Sequence, residues 1–152
     1  ILFDPFGVAL KLAKYGFSDT VVAAALVHDV LEDTEYPPDT MHAELGDEVW
    51  AIIQSVTNDD SLSWEDKKLK YIETVRAGSD DAKAVATGDK IHNMESLVIA
   101  YKEHGDTLWT KFNANKVKKL WFEEKMLAML KESWSHPMIQ EYESLVAWMR
   151  SL

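Results

Sequence analysis

The chain has 152 residues, 47% of them apolar and 28% charged, which suits one domain with a sizeable core and argues against disorder. Its 26 acidic and 16 basic residues leave a net charge of −10, which argues against general binding to nucleic-acid polymers or membrane surfaces; a metal or a local Lys can still reverse the field in a pocket for a small anion. There is no Cys, so disulfides, thiolate zinc sites and a Cys nucleophile are excluded, and no apolar run approaches the roughly 18 residues of a spanning helix. No signal peptide is visible and a cytoplasmic location is expected; the first residue is Ile1 rather than Met, so an N-terminal segment is expected to be missing.

Taken in chain order, every segment reads as helix, because no stretch alternates convincingly with period 2 and the Asn-Gly and Asp-Gly hairpin signals are missing. DPFGVALKLAKYG offers Asp4 as N-cap and Pro5 at the first helical position, and stops at Gly16. SDTVVAAALVHDVLEDT starts at Ser18 and is apolar nearly all round in its first half, which predicts a buried central helix. PPDTMHAELG is a short helix closed by Gly46, and DEVWAIIQSVTND spaces Val49, Ile52, Ile53 and Val56 along one face. SWEDKKLKYIETVRAG has a capping-box-like start in Ser63 and Asp66 and a stop at Gly78. The longest pattern, from Ser79 to Gly105, carries the stripe Ala84, Val85, Ile91, Met94, Leu97, Val98 and Tyr101. Gly88 within it costs roughly 1 kcal/mol relative to Ala, which points to a close backbone approach. Two more helices, Val117 to Ser133 and Pro137 to Leu152, bring the all-α, bundle-like domain to about seven to nine helices.

Two stretches carry ionisable groups that a core helix does not need. In AALVHDVLEDTE, His28 and Asp29 are neighbours about 100° apart on a helix, so both can reach one ion off its edge. Imidazole plus carboxylate suits Mn²⁺, Fe²⁺, Zn²⁺ or Mg²⁺. Glu32 and Asp33 follow one turn later, where an uncoordinated carboxylate can orient a water or accept its proton. The competing reading is an acidic, solvated helix end, although carboxylates there oppose the helix dipole. In TGDKIHNMESL, Asp89 can face the core, with Lys90 beside it and Asn93 one turn on; the competing reading is an exposed polar face. His92 need not be a ligand. The lysines of DKKLK and KVKK are a phosphate-attracting set or, more simply, a solvated face, and Trp109, Phe112 and Trp121 line a cleft or, more simply, pack in the core.

HDVLED followed roughly 60 residues later by GDKIHN resembles the HD superfamily of metal-dependent phosphohydrolases. It is most similar to the hydrolase domain of the guanosine tetraphosphate alarmone enzymes and their small stand-alone bacterial relatives. The similarity runs through FGVALKLAKYGFSDTVVAAALVHDVLEDT and LGDEVWAIIQSVTND and covers roughly residues 2 to 100, and LWTKFN is similar less specifically. Carried over, the resemblance implies His28, Asp29 and Asp89 as metal ligands, Glu32 and Asp33 as the pair that activates the attacking water, and Lys90 and Asn93 at the nucleotide end of the site. It implies one divalent ion, Mn²⁺ first, with Mg²⁺, Fe²⁺ or Zn²⁺ as alternatives, and attack of a metal-activated water on a phosphate ester.

The family's first metal histidine precedes a Pro, and here that position is Asp4 in LFDPFGVA. Asp4 either replaces the histidine as an oxygen ligand or serves only as the N-cap of an impaired site. The expectation is therefore a compact multi-helix HD-domain fold with residues 1–152 as a single domain. The leading function is pyrophosphate release from (p)ppGpp; the alternatives are an HD phosphohydrolase for another nucleotide or phosphoester and, because Asp4 replaces the usual metal His, a catalytically impaired nucleotide-binding regulatory module. The expected partner is a small nucleotide, with no nucleic-acid polymer and no membrane, and a homo-oligomer is compatible with this reading.

Overall fold

The computed structural model describes residues 4–111 and 115–152, and these contain helices and no strand. The helices are α1 (Pro5–Lys14), α2 (Asp19–Val27), α3 (Val30–Asp33), α4 (Pro38–Leu45), α5 (Asp47–Ser55), α6 (Trp64–Ala77), α7 (Asp80–His104), α8 (Lys116–Ser133) and α9 (Pro137–Arg150), with a 3₁₀ stretch at Gly105–Lys111. Most starts are set by side-chain caps. Asp4 accepts from Gly7 N at 3.1 Å, Ser18 from Val21 N, Ser79 from Ala82 N and Asn115 from Lys118 N. Ser63 caps α6 by accepting from Asp66 N. α1 ends before Gly16, whose φ of +85° favours a residue without Cβ.

α7 is the axis of the molecule. It packs against α1, α2, α5, α6 and α9, and buries Ala84, Val85, Ala86, Ile91, Met94 and Leu97. The Ser18 segment, expected as a buried central helix, lies beside this axis and also packs against α1 and α5. α2 packs beside α7 through Val21, Ala24 and Ala25, and α5 presents Val49, Ile52 and Ile53 to the same core. Gly88 lies where α1 crosses α7. A Cβ there would meet Leu12 Cδ2 at 3.3 Å and Val8 Cγ1 at 3.5 Å, so its small size lets the two helices close.

One element departs from the expected pattern. The Ser18 segment is not a continuous helix: α2 ends at Val27, His28 and Asp29 form a turn, and α3 resumes at Val30. Asp29 has φ −92° and ψ −3°, and its carbonyl accepts from both Glu32 N and Asp33 N. That tight turn re-aims the chain between the two residues with the most chemistry.

Candidate metal centre

His28 reaches the site from the end of α2, where its ring is only 3% exposed. Nδ1 lies 2.7 Å from Ala25 O. A carbonyl can only accept, so Nδ1 carries a proton and Nε2 is the nitrogen turned to the site. Nε2 lies 3.4 Å from Asp29 Oδ1 and 3.5 Å from Asp89 Oδ1, the latter delivered by α7. One ligand atom from each of His28, Asp29 and Asp89 falls within 4.8 Å of the others. One imidazole and two carboxylates at this spacing fit a divalent cation of the Mg²⁺, Mn²⁺, Fe²⁺ or Zn²⁺ kind.

The charges around this group are strongly coupled. Burial opposes a charged His28, but the hydrogen bond to Asp89 and the charges of both Asp residues outweigh it and raise the imidazole to about 9. Burial pushes Asp29 up to about 6, opposed by His28. Burial would also raise Asp89, yet Lys90 and His28 hold it well below the usual carboxylate range. Without a cation, the site holds a proton on His28 in the place a metal's charge would take.

Glu32 and Asp33 are less alike than their adjacency suggests. Glu32 is half-buried, and its carboxylate accepts from Asn58 N in the loop after α5; burial is the main cause of its raised pKa. Asp33 is exposed at the end of α3. Asn93 Nδ2 lies 3.4 Å from Asp89 Oδ2, as does Lys90 Nζ. Lys90 is buried, its ammonium 4.8 Å from the centre of the Tyr71 ring and 5.4 Å from that of Phe122. Asp4 stands apart from the three-residue group: one carboxylate oxygen caps α1, and the other lies 3.7 Å from His92 Nε2. Gly7 allows this approach, since a Cβ there would meet His92 Cε1 at 2.6 Å. Trp109 packs on Tyr101 against the core, and Trp121 pairs with Trp64. Phe112 lies outside the described residues.

A sequence profile of the HD domain matches residues 1–118. The chain belongs to the HD-domain family. Among its relatives, mouse guanosine-3′,5′-bis(diphosphate) 3′-pyrophosphohydrolase MESH1 is 36% identical over 95 residues, which cover 61% of this chain and 53% of the relative. A probable GTP pyrophosphokinase of Mycobacterium leprae is 32% identical over 97 residues, 61% of this chain and 12% of that protein. The match therefore spans about half of MESH1 and a small part of the longer enzyme. A crystal structure of lmo0812 from Listeria monocytogenes EGD-e superposes with a TM-score of 0.91 at 33% identity, covering 97% of this chain and 99% of that one. A metazoan ortholog of SpoT superposes with a TM-score of 0.77 at 21% identity, covering 97% and 80%, and shares the fold.

Three features of this HD-domain site escaped the sequence. Asn58 holds Glu32, and its signal was the polar end of VTND just past an apolar helix. His92 faces Asp4, signalled by its place one turn after Asp89. Glu123 is 1% exposed on α8, hydrogen-bonded to Tyr142 Oη and 3.1 Å from Lys119 Nζ. Its signal was an acid at helical spacing from Met126, Leu127 and Leu130.

Proposed function

We propose that this chain is a metal-dependent phosphohydrolase that releases pyrophosphate from (p)ppGpp. The observation that carries the reading is the placement of Glu32: it sits one turn beyond the His28–Asp29–Asp89 group, half-buried and fixed by Asn58 N. MESH1, a 36% identical relative, is named for that reaction, which supports the substrate class. His28, Asp29 and Asp89 would hold one ion, Mn²⁺ in this proposal, with Asp4 as a further oxygen ligand. When bound, a divalent ion there makes a water easier to deprotonate and offsets charge on the phosphoryl oxygens.

In this reading the residues divide the work. Glu32 takes the proton of the attacking water; burial raises its pKa, which makes it a stronger base than an ordinary surface Glu. Asp33, exposed beside it, completes the acidic pair by orienting the water from the solvent side. The water oxygen bonds to the phosphorus attached to the 3′ oxygen of the nucleotide, and the bond to that oxygen breaks. Asn93 steadies Asp89 and reaches toward substrate; Lys90 acts chiefly by keeping Asp89 ionised. Residues 1–152 act as one HD-type unit, supported by the packing of α9 on α7 and by the near-complete overlap with the Listeria protein; a cytoplasmic location goes with the nucleotide substrate of this reading. No helix of the described residues is long and apolar enough to cross a membrane. A homo-oligomer is compatible with this reading.

The test is Mn²⁺-dependent release of pyrophosphate from guanosine tetraphosphate. Glu32→Gln is expected to keep bound metal, measured by elemental analysis, and to lose turnover by about 100-fold or more. Unchanged turnover in that variant removes Glu32 from the reaction. A second reading, a nucleotide-binding module without turnover, is favoured by the pairing of Asp4 with His92; wild-type protein that binds nucleotide but hydrolyses none with any divalent ion supports it.

A further inference from the structure

The unclaimed chemistry of this molecule lies on the far side of Lys90 from the ligand group. α6 packs against both α7 and α8 there, and the three helices converge on the rings of Trp64, Tyr71 and Phe122. Lys68 Nζ stands 4.7 Å from the centre of the Phe122 ring and 6.0 Å from that of Trp64. Lys90 Nζ faces the same Phe122 ring at 5.4 Å, and Lys118 Nζ lies 6.0 Å from Trp64. Lys119 contributes a further ammonium from α8.

The acids around these cations are few. Glu123 is the buried carboxylate, and it is committed to Tyr142 Oη and Lys119. Lys67 and Lys70, on the outer side of α6, each pair with an Asp, but among the described residues Lys68 forms no ion pair. Burial and the neighbouring charges of Lys90 and Lys119 lower the Lys68 ammonium to about 8. In a chain with 26 acids for 16 bases, Lys90 pairs with Asp89 and Lys119 with Glu123, while Lys68 beside them is a third ammonium with no carboxylate partner among the described residues, an unfavourable arrangement unless an anion completes it. Aromatic contacts account for the path of the Lys68 stem. They do not account for three ammoniums placed together.

We propose that Lys68 and Lys119, with Lys90 behind them, form a subsite for a diphosphate group on the α6–α8 side of the metal centre. This rests on the reading of the chain as a nucleotide phosphohydrolase and adds the residues that recognise the anionic end of its substrate. Lysines suit that role as point charges, and their aromatic floor keeps water away and strengthens the attraction.

The test is calorimetric titration of the metal-free protein with inorganic pyrophosphate at low salt. Saturable binding is expected. Lys68→Met weakens it about tenfold, the size of one charge-assisted contact, and Lys119→Met weakens it as well. Lys68→Arg keeps the charge and retains binding, which separates loss of the anion contact from loss of packing. Lys131→Met, which breaks an unrelated pair with Glu143, leaves binding unchanged. By NMR, pyrophosphate moves the Lys68 titration upward from about 8. No binding by wild type, or equal binding by both Met variants, overturns the subsite. With guanosine tetraphosphate as substrate, Lys68→Met raises KM and spares kcat; lost kcat at unchanged KM would instead assign Lys68 to holding Asp89 through Lys90 and overturn the proposal. Tighter binding of guanosine 5′-diphosphate than of pyrophosphate supports the subsite as one for a nucleotide-attached diphosphate, and the reverse supports it as one for the released product. A protein that binds pyrophosphate through Lys68 but hydrolyses no alarmone refutes the substrate assignment and keeps the subsite; an active enzyme indifferent to Lys68 does the opposite.

Discussion

The proton held by His28 has a measurable consequence for the metal-free protein. An unfolded His titrates near 6.5, whereas burial beside Asp89 and Asp29 leaves the folded one at about 9, the acids outweighing the cost of desolvation. Between those values the folded state keeps a proton that the unfolded chain has released, so the stabilisation is fully present below pH 6.5 and is lost as the pH rises toward 9. A shift of this size corresponds to about 3 kcal/mol in total, of which about 1.5 kcal/mol disappears between pH 6.5 and 8. His28 is the buried imidazole that titrates across that window. Asp29, raised from 3.8 to about 6, loses its contribution at lower pH, and Lys68, lowered from 10.5 to about 8, acts in the opposite sense from about pH 8 upward. Urea unfolding in the presence of a chelator should therefore show wild type losing about 1.5 kcal/mol from pH 6.5 to 8. His28→Gln should lose much less, and excess Mn²⁺ at pH 8 should restore stability to wild type by mass action. A flat wild-type profile, or the same loss in His28→Gln, would refute the coupling.

Other outcomes follow from particular contacts. Asp4→His should tighten Mn²⁺ binding in an equilibrium titration if residue 4 reaches the site; unchanged affinity leaves it as cap and partner of His92 alone. Gly88→Ala should stay within about 1 kcal/mol of the parent in chemical denaturation, because its helix propensity offsets a tight contact with Leu12; Gly88→Leu should cost about 1–3 kcal/mol by forcing α1 from α7, and an unaffected Leu variant would contradict that crossing. Tyr142→Phe removes a hydrogen bond from a Glu123 that is 1% exposed, and should destabilise by about 1–3 kcal/mol; a neutral result would mean that Lys119 alone satisfies the carboxylate.

The sequence made the helices readable because their starts are marked by local chemistry: Asp4, Ser18, Ser63 and Ser79 each cap the helix expected of them. His28, Asp29 and Asp89 came together in the sequence only through the resemblance to the HD superfamily, since residue types alone left each stretch open to a solvated reading; the structure gathers them within 4.8 Å. The break between α2 and α3 was hidden, since Val27, Val30 and Leu31 continue the apolar pattern across it and periodicity does not register a turn of two residues. The pairings of Asp4 with His92 and of Glu32 with Asn58 were hidden for another reason: each joins parts of the chain that only the packing of helices brings together. Lys68 read as one lysine in a charged run, and only the meeting of α6 with α8 separates it from its solvated neighbours.

Glu123 bears on where a working piece of this protein could be cut. The family match ends at residue 118, inside α8, and already contains every candidate ligand. Yet the carboxylate that helps hold the charge of Lys90, and through Lys90 the ionised state of Asp89, comes five positions later, and the hydroxyl that holds that carboxylate comes from α9. Signs alternate from His28 to Asp89 to Lys90 to Glu123, like links of a chain anchored at both ends. A fragment trimmed to the matched region would keep the first three links and release the anchor.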